Sequence, residues 1–419
     1  GLGLNEADRE LLVKSVNVVF HGAATVRFDE HIKMAVKINV CGVQAIIQLA
    51  KEMRQLNALV HVSTAFTHCP RLRIDEQFYP APVSYENLIQ LINEKDEVEL
   101  TEMTPKLLHE WPNTYTFTKA LAEDVIVKEA KGLPVAVFRP AVIISTYREP
   151  VRGWIDNVYG PVGMMVGIGS GVLHTHLVDL DNVVDMVPVD LVVNAMVVAA
   201  WDIATNNDGK ESAITVTKDD TVSSSVPIFN FVGSAQNPIT MREFMNMAIE
   251  KGAPLWPTER AIWYISFWPT TSLPLFFLLN FFLHTVPAFF LDNLAKMTGR
   301  KPMLSKIYEK ISAASETLHY FAIRRWTWTD NNVQRLFQKL DDEDQDLFFF
   351  DMAQMSWEYH TEALGLGLRV YLVEDDISTL PAARRKWQRL YIAHCILKMA
   401  SVCVLIFLFL YIIAVVSGV

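Results

Sequence analysis

Tyr115 and Lys119 stand four residues apart in YTFTKALAE (115–123). On a helix that spacing puts both side chains on one face. A phenol of ordinary pKa exchanges protons poorly at neutral pH. A neighbouring ammonium stabilises the phenolate and lowers that pKa. Such a pair can protonate a carbonyl oxygen while a hydride reaches the carbon. Alone, the spacing describes a surface pair on an amphipathic helix. Two neighbouring features raise its significance. Ser63-Thr64-Ala65 lies at the end of the apolar run ALVHVSTAF (58–66), where a hydroxyl can polarise a substrate carbonyl. The plainer reading of Ser63 and Thr64 is a turn whose hydroxyls satisfy the backbone. Arg139-Pro140 closes a third run, LPVAVFRP (133–140), where it can shape a pocket.

The elements that would position these residues alternate. SVNVVF (15–20) reads as a buried strand leading into the turn HGAA. Residues 31–54 have helical periodicity, 58–66 read as a strand, 113–131 as a helix and 133–140 as a strand. Residues 71–111 are polar and acidic and read as an insertion. Strand, helix, strand, helix, strand predicts an α/β fold with a parallel sheet covered on both faces. Ligands of such sheets sit beyond the carboxyl ends of the strands, where the polar tips lie.

Composition narrows the classes. The 419 residues hold 37 Lys plus Arg against 47 Asp plus Glu, a net charge of −10, and 51% are hydrophobic. That argues against a nucleic-acid binder and against a disordered chain. The four cysteines, Cys41, Cys69, Cys395 and Cys403, form no C-x-x-C pair, and the histidines are scattered, so no metal is expected. The acidic run DDEDQD (341–346) reads as a solvated loop. Thr240 to Glu243 fits a helix capping box. Trp326, Trp328 and Trp357 read first as core packing and second as a lipid-tunnel lining.

Ala400 to Val419 carries no charge, and Arg384, Arg385, Lys386, Arg389 and Lys398 precede it. Twenty helical residues span ~30 Å of hydrocarbon. Basic flanks stay in the cytosol, so the segment predicts a tail anchor with a cytosolic body. A second stretch, 261–291, lacks charge but is interrupted by Pro269, Pro274 and Pro287. Its run of 12 residues between Pro274 and Pro287 is too short to span as a straight helix, so membrane contact or a tunnel wall is expected there.

Longer strings carry a family resemblance. VFHGAATVRFDE (19–30), INVCGVQ (38–44), HVSTAF (61–66), YTFTKALAE (115–123), FRPAVI (138–143), GWIDNVYGPVG (153–163) and VPVDLVVNA (187–195) resemble the alcohol-forming fatty acyl-CoA reductases, insect members most. These belong to the extended short-chain dehydrogenases/reductases, with their Ser/Thr–Tyr–Lys constellation. FNFVGSAQNPIT (229–240) and residues 291–360 resemble that family's C-terminal male sterility domain. The resemblance implies a Rossmann-like doubly wound sheet, then a mainly helical domain and a transmembrane helix. The expected boundaries are 1–235, 236–380 and 381–419.

It also implies roles. Tyr115 would be the general acid. Lys119 would bind the nicotinamide ribose and lower the Tyr115 pKa. Thr64 would hold the substrate carbonyl, with Ser63 as the neighbouring candidate. His21, Gly22, Ala23 and Ala24 would pass close to the cofactor, Asn39 would brace the loops, and Arg139 and Pro140 would lie near the nicotinamide. The implied reaction is NADPH-dependent reduction of a long-chain acyl-CoA to a primary alcohol, at a lipid membrane. The tail suits the endoplasmic reticulum and the peroxisome alike.

One departure stands out. The family opens with a strand and a G-x-x-G-x-x-G turn that cradles the pyrophosphate, and this sequence has none. Gly1-Leu2-Gly3 follows no strand, and Gly167-Ile168-Gly169-Ser170-Gly171 does not read as strand-turn-helix. The expectation is a sequence lacking its first βαβ unit and impaired alone in nucleotide binding. The alternatives are a membrane reductase resembling 3β-hydroxysteroid dehydrogenases, and a non-catalytic membrane scaffold.

Overall fold

The computed structural model describes residues 2–205, 215–216, 222–223 and 226–417. The chain divides into two compact units, both discontinuous. Residues 1–147, 183–239 and 324–355 form the first; 148–182, 240–323 and 356–419 form the second. The expected linear partition places a break at 235, near the 239–240 crossing, but it does not anticipate the two exchanged segments. Backbone pairing explains one of them. Thr327–Trp328 runs parallel to Arg73–Ile74 and ties 324–355 to the first unit. The Trp326 and Trp328 indoles donate there to the carbonyls of Cys69 (3.0 Å) and Ala65 (2.9 Å).

The first unit holds a parallel four-stranded sheet in the order Val18–His21, Ala58–Val62, Val135–Pro140, Ile228–Phe231. Side chains alternate across it. Leu59, Val135, Val137 and Ile228 share a core with Ile32, Val36 and Ile47, and with Phe117, Leu121 and Val125. Phe138 and Phe231 have the opposite parity; they stack on each other and Phe231 meets Phe350 edge-on. The Val189–Thr205 helix packs on the two central strands. The arrangement is Rossmann-like. Both faces are covered, so the strands read as apolar runs rather than alternating ones.

Local differences from the expected elements have physical causes. The helix over 31–54 is two helices, Ile32–Asn39 and Cys41–Glu52, meeting at Val40. The polar insertion folds into helices Tyr85–Glu94 and Glu97–Leu107, and Tyr85, Leu88, Ile92 and Leu100 enter the core. Tyr85, Leu88 and Ile92 sit at i, i+3 and i+7, a single face that the segment's average polarity hides. Asp341 caps a short helix, Asp342–Leu347, whose first turn is acidic. Those carboxylates suit a helix N-terminus, so the run is not a loop.

The second unit is mainly helical. Its Met241–Asn246 helix opens with the expected capping box between Thr240 and Glu243. Gly153 has φ +79°, and a Cβ there would lie 2.2 Å from the Ala363 carbonyl oxygen; a Cβ on Gly367 would meet the Gly153 carbonyl oxygen at 1.7 Å. Two backbones touch here, which accounts for the first glycine of the GWIDNVYGPVG string. Gly167 to Gly171 lies at the C-terminal end of the Pro161–Gly169 helix, and a Cβ on Gly171 would strike the Trp263 carbonyl. That is the wrong helix end for a phosphate.

Two helical stretches of this unit are long and apolar enough to cross a membrane. Leu273–Met297 is 17% buried and Ile377–Ile413 has no buried residue in its most apolar window. The second belongs to one 38-residue helix, Leu380–Ser417. Of the expected anchor 400–419, Gly418 and Val419 lie outside the described residues. Leu273–Met297 corrects the length argument made from its prolines. Pro274 sits in the first helical turn, and Pro287 follows the π-helical turn Phe281–Thr285, so the helical run continues through both. A third apolar stretch, Ile32–Glu52, is the helix pair on the first unit's sheet; Ile32, Val36 and Ile47 are fully buried there. The two exposed helical stretches mark the chain as membrane-associated.

Candidate active site

The Thr114–Glu129 helix presents the chemistry. Asn113 caps it, accepting from the Thr116 amide at 2.9 Å. Tyr115, Lys119 and Glu123 recur every four residues along it. Nearly all of the helix is buried, so polar side chains on it need partners from neighbouring elements.

The Ala58–Val62 strand ends beneath this helix. The Lys119 ammonium donates to the Val62 carbonyl at 2.7 Å. Ser63 and Thr64 follow, and their roles divide. The Ser63 hydroxyl donates to Glu123 at 2.5 Å and is buried. The Thr64 hydroxyl accepts from the Phe66 amide at 3.3 Å and lies near enough to the Tyr115 phenol to pull its pKa down. The structure therefore brings Thr64 to Tyr115, while Ser63 serves the scaffold behind them. The Tyr115 ring stacks on Phe28, with centroids 5.9 Å apart.

The expected pKa pattern is corrected. Burial pushes the Tyr115 phenol up to about 12, and the Thr64 hydrogen bond opposes it only in part. Lys119 does not depress it, because its ammonium points to the strand carbonyl one turn away. A phenol held protonated still suits a proton donor. Burial lowers Lys119 itself to about 8, against the pull of the Glu123 charge. In the folded state Lys119 is thus charged below about pH 8 and neutral above it. The unfolded chain keeps that proton to about 10.5. The Lys119 contribution to stability therefore rises between pH 8 and 10.5. We expect kcat/KM to fall above about pH 8 as this charge is lost. A pH–rate profile checks this, and Lys119→Arg should remove the alkaline limb.

The Arg139 side chain turns inward. It is fully buried, with Nε and Nη2 on the Glu123 carboxylate at 2.9 and 2.6 Å, Nη1 on the Asp75 carbonyl and Nη2 on the Gln77 carbonyl. Four of the five donors of the guanidinium fork are thereby engaged by scaffold groups. His68 lies 3.4 Å from the same carboxylate. Burial pushes Glu123 up, but the Arg139 charge and the His68 and Arg139 hydrogen bonds outweigh it and hold Glu123 well below the usual range. Pro140 carries the next strand tip, its carbonyl accepting from the Ala65 amide at 2.9 Å.

The HGAA turn follows the edge strand. Gly22 and Ala23 are exposed, and nothing approaches a Gly22 Cβ position closer than 3.8 Å. Asn39 braces the next loop, its amide accepting from the Thr25 amide and donating to the Thr25 carbonyl and the Thr118 hydroxyl. His21 faces inward. Its Nδ1 lies 3.1 Å from Nδ1 of His61, its register partner on the neighbouring strand. Burial and the Lys119 charge lower both, His21 to about 4, so the pair is neutral at pH 7.

Glu123, His61 and His68 carried no separate signal in the sequence. Glu123 was within reach, since it continues the four-residue spacing of Tyr115 and Lys119. The described residues fit the nicotinamide end of a dinucleotide. They offer an exposed small-residue turn, and a buried ammonium with one protein acceptor and two further donors. No glycine-rich phosphate turn accompanies them among the described residues.

The comparisons with known proteins agree with this geometry. Residues 1–196 match the NAD-binding family model described as male sterility protein, and 283–375 match the Sterile model of the same description. A relative from Drosophila melanogaster, "Fatty acyl-CoA reductase wat", is 44% identical over 394 residues, covering 94% of this chain and 73% of the relative. The human "Fatty acyl-CoA reductase 1" is 36% identical over 395 residues, covering 93% and 72%. Among solved structures, the terminal R domain of the myxalamid PKS-NRPS pathway has a TM-score of 0.52 at 14% identity, covering 88% of this chain and 72% of that one; it speaks for the fold alone. Likeness to these relatives along nearly its whole length shows that this chain belongs to the fatty acyl-CoA reductases, a family of oxidoreductases.

Proposed function

We propose that this chain reduces long-chain fatty acyl-CoA to primary alcohol at the expense of NADPH, through an aldehyde and with release of CoA. The observation that carries the reading is the Thr64–Tyr115 hydroxyl pair beside a strand tip, with the Lys119 ammonium one helical turn away. A nicotinamide bound there would supply hydride to the carbonyl carbon. Thr64 and Tyr115 would hold the thioester oxygen, and Tyr115 would give it a proton as the carbon–oxygen double bond opens. The hemithioacetal then loses its carbon–sulfur bond, the thiol takes a proton, and an aldehyde remains. In a second round the aldehyde carbon would receive hydride from a second NADPH, Tyr115 would protonate its oxygen, and the alcohol would leave. Lys119 would hold the ribose, and water would return a proton to Tyr115 between rounds. His21, Gly22, Ala23 and Ala24 would line the cofactor side, with Asn39 and Pro140 fixing the loops around it. Arg139 acts at one remove, by holding Glu123.

The test is incubation of the membrane-bound enzyme with NADPH and palmitoyl-CoA. Hexadecanol and free CoA should form in a 1:1 ratio with two NADPH consumed. Oxidation of a 3β-hydroxysteroid without alcohol formation would instead support the steroid-reductase reading.

The same proposal places the body in the cytosol, held by the C-terminal helix. A long acyl chain partitions into lipid by ~0.8 kcal/mol per buried CH₂, so an anchored enzyme meets its substrate where it collects. Deleting residues 400–419 should turn a carbonate-resistant membrane protein into a carbonate-extractable one. Unchanged resistance would assign the anchoring to Leu273–Met297.

A further inference from the structure

The Leu273–Met297 stretch is held along one face and bare along the other. Phe276, His284, Ala288 and Asp292 are buried, whereas Leu275, Leu278, Phe282, Phe289, Leu294 and Met297 are exposed. Polar contacts fix the buried face at its middle and towards its end. His284 Nε2 accepts from the His174 amide at 2.9 Å, and the His284 ring stacks on Tyr308 with centroids 4.5 Å apart. The Asp292 carboxylate accepts from the Met303, Leu304 and Ser305 amides at 3.0, 3.0 and 2.9 Å. It thereby satisfies the first amides of the Leu304–Ala322 helix. The order of these contacts, Asp292 with 303–305 and His284 with Tyr308, makes the two helices antiparallel.

That pairing limits how the stretch can meet a bilayer. If it crossed, the Leu304–Ala322 helix would be drawn into hydrocarbon beside it, with Lys306, Glu309, Lys310 and Glu316 exposed on its surface. Charges facing lipid at that depth are rare and costly. Lying in the interface instead, the stretch buries only its bare face, ~5–10 Å deep, and the charged helix stays in water. The far end of the stretch carries the charge that a phospholipid surface attracts. Lys296, Arg300, Lys301, Lys306 and Lys310 are all exposed, and none has an ion pair among the described residues. Glu309 is the single acid between 296 and 310. Met297 and Met303, 85% and 62% exposed, flank Arg300 and Lys301. Apolar tips set among unpaired cations match the boundary between acyl chains and anionic phosphates. A surface of neutral headgroups would leave the cluster's net charge without a complement.

We infer that Leu273–Met297 lies in the plane of the bilayer interface as a second membrane attachment, and that the basic turn following it binds anionic phospholipid headgroups. The stretch enters one leaflet and returns to the side of the body. The C-terminal helix holds the chain to a membrane; this surface selects which lipids lie under it.

The experiment places the full-length protein in nanodiscs of mixed phosphatidylcholine and phosphatidylserine, with an acyl-chain diazirine on one lipid or the other, and maps the adducts. Both lipids should label peptides covering 275–297, and phosphatidylserine should be preferred over 297–303. Arg300→Glu combined with Lys301→Glu should cut that preference about fivefold or more, as expected for removal of at least one cation from an anionic surface. Labelling of 400–417 should not change, and an unchanged melting temperature confirms folding. Sidedness is read in sealed vesicles with the body outside. Thr271→Cys and Thr298→Cys bracket the stretch, and both should react with a membrane-impermeant maleimide added outside, located by peptide mass so that the native cysteines are told apart. Equal labelling of 297–303 by the two lipids, adducts absent from 273–297, or cross-links from this face to a second copy of the chain would overturn the inference. So would reaction of Thr298→Cys only with reagent sealed inside, which is the signature of a span. Neither measurement uses NADPH or an acyl-CoA, so the inference stands or falls apart from the reductase reading.

Discussion

Tyr115→Phe should lower kcat for both the thioester and the aldehyde by about 10²- to 10⁴-fold, the usual range for loss of a positioned proton donor. The phenyl ring keeps its stacking on Phe28, so the fold should lose little. The hydroxyl that remains, on Thr64, can hold an oxygen but is a weaker acid than a phenol. NADPH affinity should change little, because Lys119 and the HGAA turn stay in place. Steady-state kinetics with each substrate, beside a binding titration, checks the split. A tenfold rise in KM at unchanged kcat would mean that the phenol positions substrate and donates nothing.

Glu123→Gln should destabilise the first unit by about 3–5 kcal/mol, the cost of leaving a buried charge without its partner. Arg139 is fully enclosed and would keep its charge among two carbonyls and a neutral amide. Of Ser63 and His68, the one left facing the new amide nitrogen would lose its acceptor. Because Glu123 is held below its ordinary range, the stabilisation it gives is present in full above about pH 4.5 and is lost progressively as the pH falls from there towards its depressed folded value. Urea titrations at pH 7 read the difference. Glu123→Gln paired with Arg139→Met should cost less than the sum of the two changes, since the second removes the charge the first has stranded. Additive losses would show that the two residues act separately. The Ser63 end of this network explains why Thr64 alone faces the phenol.

Much of this was legible from the chain. Tyr115 and Lys119 stand out because four-residue spacing survives any packing of a helix. The strands stand out because a sheet covered on both faces needs unbroken apolar runs. What stayed hidden depends on partners far away in sequence. Arg139 and Glu123 lie on a strand and a helix, and only their packing turns a supposed cofactor contact into an internal ion pair. His21 and His61 meet only through strand register. The Tyr115 pKa was misjudged because spacing gives proximity and not direction; the Lys119 ammonium follows the nearest buried carbonyl. Prolines at 274 and 287 suggested breaks, yet each falls where a helix tolerates a missing donor. The return of 324–355 to the first unit runs through a two-residue strand, too short to show in periodicity, and through contacts such as Asn332 to the Ile228 carbonyl that only the fold brings together.

The proposed reduction requires one carbonyl oxygen to be gripped by the hydroxyls of Thr64 and Tyr115 beside the Lys119 ammonium. A structure of the enzyme with oxidised cofactor and a long-chain alcohol tests it most directly. The alcohol oxygen is expected within hydrogen-bond distance of both hydroxyls, and the ribose within reach of Lys119. An oxygen bound away from Tyr115, with the phenol still closed on Thr64 alone, would contradict it.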